Sequence, residues 1–469
     1  MKPLRLLPKG LTIGLASPFL LMGCTYQPIS TSMPELPERF SHQAAQQNTA
    51  TLPQAASQNW WQDFNDLHLN QWVETGLQAN QDLAATLARL QQSQANLRQV
   101  NSDKFPELNA TGKRQRSWVD DGTDRELSDN WNVGLNASYE IDFWGRISSL
   151  SKQAQFELQA DQAALQVQAN TVAANITQYW FGWVAAQEET ELLTSQQDRV
   201  SKALTAIEGR FRRGRVSITD VWRQRQLLET LEGQLINARA DIELNRNQLA
   251  LWLGQTPYNL NYPAGVNLPP LPGQPDTGIP IERLQQRPDV QQAWAQVEAS
   301  NAAVAAAISE RFPRISLSAD YSGSAEKSSD LVDTWVSNLA ANLLLPVIDG
   351  GNRRAQVERR RAQLQENLAN YQQTLLTAVK EVEDALIQEK QLADFLQNLE
   401  ERVELSQRTA SMQGKRYLNG VADFLDLLSA QQSSLELEQQ RLDAQRRLLE
   451  VRIQLYRALS QGGFAPNMT

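Results

Sequence analysis

Arg210-Phe211-Arg212-Arg213-Gly214-Arg215-Val216-Ser217-Ile218-Thr219-Asp220-Val221 returns later in the chain as Arg416-Tyr417-Leu418-Asn419-Gly420-Val421-Ala422-Asp423-Phe424-Leu425-Asp426-Leu427. The Arg-aromatic pair, the glycine and the closing aspartate keep their spacing. Working outward, Phe105-Pro106 is matched by Phe312-Pro313, and Asp82 by Asp289, at an offset that stays near 206 residues. A period that long marks a duplicated domain, not a solenoid repeat.

Each copy of the motif sits between two helical runs. From Arg146 to about Arg210 there is no proline, and the only glycines are Gly182 and Gly209; from Arg353 to about Tyr417 the only glycine is Gly414. At 1.5 Å per residue each run predicts a rod roughly 100 Å long. Beyond the motif the chain returns as helices predicted over 219–253 and 424–460. Shorter helices are expected over 66–103 and 282–311. Small residues recur on several faces, as at Ala163-Ala164 and Ala173-Ala174, which suits helices with neighbours on two sides. A simple coiled coil needs one sustained a/d seam, and none can be traced. The stretch Pro257–Pro280 is dense in proline and glycine and reads as the linker between copies.

The segments before the rods alternate. Trp131, Val133, Leu135, Ala137, Tyr139, Ile141 and Phe143 point one way; Asn132, Gly134, Asn136, Ser138, Glu140 and Asp142 point the other. A period of two gives a strand with one apolar and one polar face. Strands are expected at about 107–117, 131–143, 314–323 and 335–347, each near the length that crosses a tilted bilayer path. Phe105, Phe143 and Trp144 mark one end, and Trp118, Trp131 and Trp335 the other, as an aromatic girdle would. The polar connections 119–130 and 324–334 then read as extracellular loops. A soluble half-buried sheet alternates in the same way. In lipid, four strands cannot close: open edges leave backbone groups unsatisfied. Small barrels begin near eight strands, so copies must pool theirs, and three copies would supply twelve.

Composition excludes several functions. Net charge is −9, and the surface is too acidic for a nucleic-acid partner. The Arg clusters at 210–215 and 353–361 read first as solvated helix faces. With one cysteine and two histidines, His42 and His68, no zinc set can form. No catalytic triad or Gly-rich phosphate loop is evident, so an enzyme is not expected, and neither is a cofactor.

Residues 1–23 carry Lys2, Arg5 and Lys9, then an apolar run too short to span a bilayer. Leu21-Met22-Gly23-Cys24 resembles the bacterial lipobox, which implies cleavage before Cys24 and lipidation of its thiol and new amino group. Several acyl chains make an effectively permanent anchor. Thr25, not Asp, follows, which implies sorting to the outer membrane. The sequence thus divides into a leader (1–23), a lipidated extended tether (24–58), a first repeat (59–255), a linker (256–280), a second repeat (281–462) and a tail (463–469).

Three further stretches carry a family resemblance: Trp60-Trp61-Gln62-Asp63-Phe64-Asn65-Asp66; Gly278-Ile279-Pro280 with Arg287-Pro288-Asp289-Val290; and Tyr139-Glu140-Ile141-Asp142-Phe143-Trp144-Gly145-Arg146, echoed by Pro346-Val347-Ile348-Asp349-Gly350-Gly351. Over about residues 55–460 the chain resembles the TolC-like outer-membrane factors, in their lipidated efflux branch. The resemblance implies an α + β membrane protein and a homotrimer. It implies a twelve-stranded transmembrane β-barrel, continued by a long periplasmic α-helical barrel that tapers to a closed tip. It also implies docking on a periplasmic adaptor and an inner-membrane pump, with drug-like compounds as the expected cargo. A duct of the same build for metal ions or for type I polypeptide secretion is the alternative. A periplasmic adaptor or structural coiled-coil lipoprotein is the alternative of a different class; two strand-bearing hairpins argue against it.

The resemblance places functional residues at the repeated Arg-aromatic-x-x-Gly motif. Acidic residues there ring the entrance in the family, which makes Asp220, Asp426 and, less directly, Asp423 candidates for a periplasmic gate. Repeated carboxylates attract cations. The competing reading is local: Ser217-x-x-Asp220 and Asp423-x-x-Asp426 both resemble capping boxes. Arg210, Gly214, Arg416 and Gly420 are assigned to tip shape and adaptor docking, the glycines because a tight turn with positive φ favours them. Arg213 faces Asn419 across the repeat, and Ser217 faces Asp423, so the two tips are not expected to be equivalent.

Overall fold

The computed structural model describes residues 59–120, 122, 125–275, 284–331 and 333–459. Cys24 with its leader and tether, Gly278-Ile279-Pro280 and the tail lie outside the described residues. The chain divides into two compact units, and neither coincides with a sequence repeat. Of the described residues, one unit comprises those within 96–156 and 298–365; the other takes those within 59–95, 157–297 and 366–459. Each unit draws on both copies.

The first unit holds a four-stranded antiparallel sheet in the order β1 (Glu107–Asp120), β2 (Arg125–Ile141), β3 (Arg314–Ala325), β4 (Trp335–Leu344). Its register lines up one face as Leu108–Ala137–Ala319–Leu339 and Ala110–Leu135–Tyr321–Ser337, the other as Asn109–Asn136–Asp320–Asn338. On the polar face Asn136 Nδ2 donates to Asp320 Oδ1 at 2.8 Å. Among the described residues nothing covers the apolar face: Leu339 is 83 % and Leu108 67 % exposed. A soluble half-buried sheet would bury that face against its own core. Leaving it open fits a surface whose partner is lipid or another copy. The outer edges of β1 and β4 are unpaired within the sheet.

The strand ends correct the sequence reading. β1 continues past 117 and β2 starts before 131, pairing Trp118 with Leu127 and ending at Asp120 with Arg125, so most of the expected 119–130 loop is sheet. β4 stops at Leu344, not 347, because Pro346 has no N–H to continue a ladder. Trp144 faces inward to its neighbours: its ring stacks on Phe312 at 4.8 Å and its Nε1 donates to the Pro313 carbonyl at 2.8 Å. Ser309 Oγ donates to the Trp144 carbonyl at 2.8 Å. The end of β2 in one copy is thereby fastened to the start of β3 in the other.

Two rods leave the sheet at equivalent aspartates. The Asp142 carboxylate accepts from Ile147 N (2.9 Å) and Ser148 N (2.8 Å) and heads α3 (Arg146–Arg212). Asp349 accepts from Gly351 N (3.0 Å) and Arg353 N (3.2 Å) and heads α6 (Asn352–Leu418). An acid facing free amides at a helix start is the favoured cap.

In the second unit α1 (Leu67–Ala79) and α2 (Gln81–Ser102) replace the single helix expected over 66–103. Asn80 breaks the run: its Nδ2 donates to Trp252 O (2.9 Å) while its Oδ1 caps Leu83 N (3.0 Å). The helix expected over 282–311 is interrupted at Arg287: residues 284–286 are helical, and α5 (Pro288–Ser309) then starts with proline at its first position. α4 (Ile218–Trp252) and α7 (Phe424–Leu459) are the return helices. Among the described residues no helix is long and apolar enough to cross a membrane.

The motif Trp60-Trp61-Gln62-Asp63-Phe64-Asn65-Asp66 forms an aromatic plug in this unit. Trp60, Trp61 and Phe64 are buried, and Trp60 stacks on Tyr456 at 5.4 Å. Asp63 accepts from Tyr456 OH (2.8 Å), and Asp66 accepts from Trp180 Nε1 (2.6 Å) while capping α1. Buried Arg287 reaches Asp289 (2.7 Å), Glu381 (2.7 Å) and the Ala458 carbonyl (3.0 Å), tying the start of α5 to α6 and α7. Buried Arg452 binds Glu389 (2.7 and 2.9 Å) and the carbonyls of Pro272 and Gly273.

Candidate functional site: the two hairpin tips

Each rod ends at a glycine that sequence alone singled out. Gly214 has φ +70° and Gly420 φ +75°, the left-handed region that costs a side chain energy. The turns are built alike. Arg215 N bonds the Arg210 carbonyl at 3.0 Å, and Val421 N bonds the Arg416 carbonyl at 2.9 Å. Among the described residues nothing lies within 4 Å of a Cβ at either glycine, so backbone conformation selects the residue.

Past the first turn, Ser217 caps α4. Its Oγ accepts from Asp220 N at 3.3 Å, and Asp220 Oδ2 accepts from Ser217 N at 3.2 Å, a reciprocal capping box. Arg223 lies 3.9 Å from the same carboxylate. Asp220 is therefore half-buried and engaged. Asp423 and Asp426 at the second tip are both exposed.

The structure brings Arg210 and the second tip together, a pairing that sequence reasoning missed. The Arg210 guanidinium lies over the Tyr417 ring, 4.7 Å from its centroid. Tyr417 also packs on Phe424 (5.8 Å between centroids) within an apolar cluster that joins α3, α4, α6 and α7. The equivalent residues diverge: Phe211 is 39 % exposed, Tyr417 only 7 %, and Arg416 is exposed. The repeated Arg-aromatic pair is thus used once inward and once outward. Nothing in the sequence distinguishes the two.

At Glu438, in the N-terminal half of α7, the four hairpin helices share a polar layer. The buried Glu438 carboxylate accepts from Gln196 Nε2 (3.0 Å), Arg199 NH2 (2.5 Å) and Gln407 Nε2 (2.8 Å). Gln439 Nε2 donates to Gln196 (2.8 Å) and Gln234 (3.2 Å). Burial pushes the Glu438 carboxyl up, but the hydrogen bonds from Arg199, Gln196 and Gln407 outweigh it, and the group titrates below the usual carboxylate range. In sequence these residues look like surface positions of polar helices.

The outer membrane efflux protein family model matches residues 72–255 and 280–461, one match per repeat. The chain is 28 % identical to the pyoverdine export outer membrane protein OpmQ of Pseudomonas aeruginosa, over 96 % of each chain. It is 27 % identical to the cation efflux system protein CusC of Escherichia coli O6:H1, over 98 % of this chain and 99 % of that one. The solved outer-membrane channel OprN superposes with a TM-score of 0.83 at 27 % identity, covering 92 % of this chain and 99 % of that one. The duplicated strand-and-hairpin unit, the open apolar sheet face and these matches have one meaning: the chain belongs to the outer membrane efflux protein family.

Proposed function

We propose that this outer-membrane efflux channel is the exit duct of a tripartite system, working as a homotrimer whose three four-stranded sheets make a twelve-stranded barrel. The exposed apolar sheet face with two unpaired edges carries this reading. Backbone groups at an open edge are costly in lipid, and pooling strands between copies removes the edge. Lipidation of Cys24 anchors the chain in the outer membrane. The hairpin tips dock on a periplasmic adaptor that links them to an inner-membrane pump. Gly214 and Gly420 shape the tips, Arg416 is available for contact, and Arg210 acts through Tyr417. Asp220, Asp426 and Asp423 line the periplasmic gate. Asp220 also caps α4, and Asp426 and Asp423, being exposed, carry more of any cation preference.

The cargo is proposed to be drug-like compounds. The five methionines of the chain are scattered, which gives soft metal ions no ladder of thioethers. A metal-ion duct is the second reading, favoured by the likeness to a cation efflux system protein. Intracellular accumulation of a panel of dyes, antibiotics and metal ions, in cells with and without this gene, separates them. Retention of drug-like compounds in the deletion is expected; retention of metal ions alone would transfer the assignment to the second reading. Retention of neither would contradict both and point to polypeptide export.

A further inference from the structure

Arg212, Arg213 and Arg215 surround Gly214 and are all exposed. They make no ion pair among the described residues, because the nearby acids are already engaged. Glu208 bonds Arg225 at 2.9 Å, and Asp220 serves Ser217 and Arg223. Arg210 lies over Tyr417. Three uncompensated guanidiniums therefore share one turn of a chain whose net charge is −9.

A merely solvated basic turn has no reason to keep large apolar side chains in water beside it. Yet Trp222, in the second turn of α4, is 59 % exposed, and Phe211 and Ile218 are exposed as well. Exposed tryptophan and arginine together are the residues that dominate protein–protein contact energies. At the second tip the two exposed cations Lys415 and Arg416 are matched in number by the exposed acids Asp423 and Asp426, and the uncovered side chains are aliphatic: Leu418, Val421 and Leu425. The duplicated tips present different chemistry.

We propose that the first tip is the electrostatic half of the docking surface: it takes an acidic segment of the adaptor, carboxylates on Arg212, Arg213 and Arg215 and an apolar side chain against Trp222. The second tip takes an uncharged, apolar segment. Guanidiniums fixed on a turn suit bidentate carboxylate contacts from a folded partner. This rests on the reading that the tips are where the adaptor docks.

The test places a photo-crosslinking amino acid at Val216 or at the equivalent Ala422 in the full-length chain in cells, and sequences the cross-linked peptide. From Val216 the expected product lies in an adaptor segment with an excess of Asp and Glu. The triple variant Arg212→Gln, Arg213→Gln, Arg215→Gln should lower its yield about fivefold, as the loss of three solvent-edged ion pairs would. Yield from Ala422 should not change. If the triple variant does not assemble, Asp→Asn and Glu→Gln changes in the mapped adaptor segment must make the same cut. Adaptor cross-links from Val216 that lack acidic residues and ignore the charge changes would overturn the inference and leave docking standing. Lipid cross-links from Val216 would also overturn it. Absence of an adaptor at both positions would sink the docking reading itself.

Discussion

Arg210 of the first repeat holds its guanidinium over the ring of Tyr417 of the second, 4.7 Å from the centroid, so the two hairpin tips are joined by residues that the duplication made equivalent to other partners. Burial raises the Tyr417 phenol above its ordinary value, so the ring stays neutral through the physiological range. A partly desolvated cation–π contact contributes about 0.5–2 kcal/mol. The phenol oxygen has no hydrogen-bond partner among the described residues, so Tyr417→Phe should be near neutral while Tyr417→Leu loosens the tip. In single-channel recordings of the reconstituted protein, Arg210→Gln and Tyr417→Leu should each lengthen open time. The double variant should be no worse than the stronger single one. Additive effects would show that the two residues act apart.

The Glu438 layer fastens the first hairpin to the second. Arg199→Gln leaves the buried Glu438 carboxylate without its counter-charge, while Glu438→Ala leaves the buried Gln196 amide without its acceptor and lets half-exposed Arg199 turn to solvent, so both should lower the thermal midpoint of the assembled protein. The pH dependence has a definite sign. A carboxyl whose folded value is depressed stabilises the fold above its unfolded value and loses that contribution as pH falls through the folded one. Stability from this layer should thus be flat from neutral pH down to about 5 and fall below about 4.3, the unfolded range for Glu. A Glu438→Gln variant with the same acid limb as the parent would contradict this.

Capping and charge can be separated at Asp220. Asp220→Asn keeps an oxygen for Ser217 N and removes the charge; Asp220→Ala removes both. Loss of a cap costs about 1 kcal/mol, so Ala should lower hairpin stability and Asn should not. If the gate uses charge, Asp220→Asn with Asp423→Asn and Asp426→Asn should reduce cation preference in reversal-potential measurements. Unchanged preference would leave Asp220 as a cap alone.

Gly214 and Gly420 are required for their positive φ, not for space. Valine there should cost about 1–2 kcal/mol each, whereas asparagine, which tolerates this region, should cost clearly less. Resistance of the trimer to heat in detergent gels reads the difference. Equal damage from Val and Asn would point to a contact at the turn and against the backbone account.

Most of the scaffold is legible in the sequence, because its rules are local. Alternation from Trp131 onward marks β2, and freedom from proline marks α3 and α6 almost to their ends. The extra pairs of β1 and β2 near Trp118 and Leu127 were not legible, since polar residues in a hairpin extend or loop according to their cross-strand partner. The break at Asn80 is set by the Trp252 carbonyl, a residue 172 positions away. At the tips the glycines and the Ser217 cap could be read from spacing. The inward turn of Tyr417 and the outward turn of Phe211 could not, because the two copies offer the same Arg-aromatic pair. The Glu438 layer hides among glutamines and glutamates that suit an exposed helix equally well.

Native mass spectrometry of the full-length protein, released from outer membranes in mild detergent, tests the pooling of strands most directly. Four strands with two unpaired edges in each copy require pooling, and the resemblance to the outer-membrane factors sets the number: a single species of three chains, enough for twelve strands. A population that stays as single chains, or that closes with two, would contradict the barrel on which the duct depends.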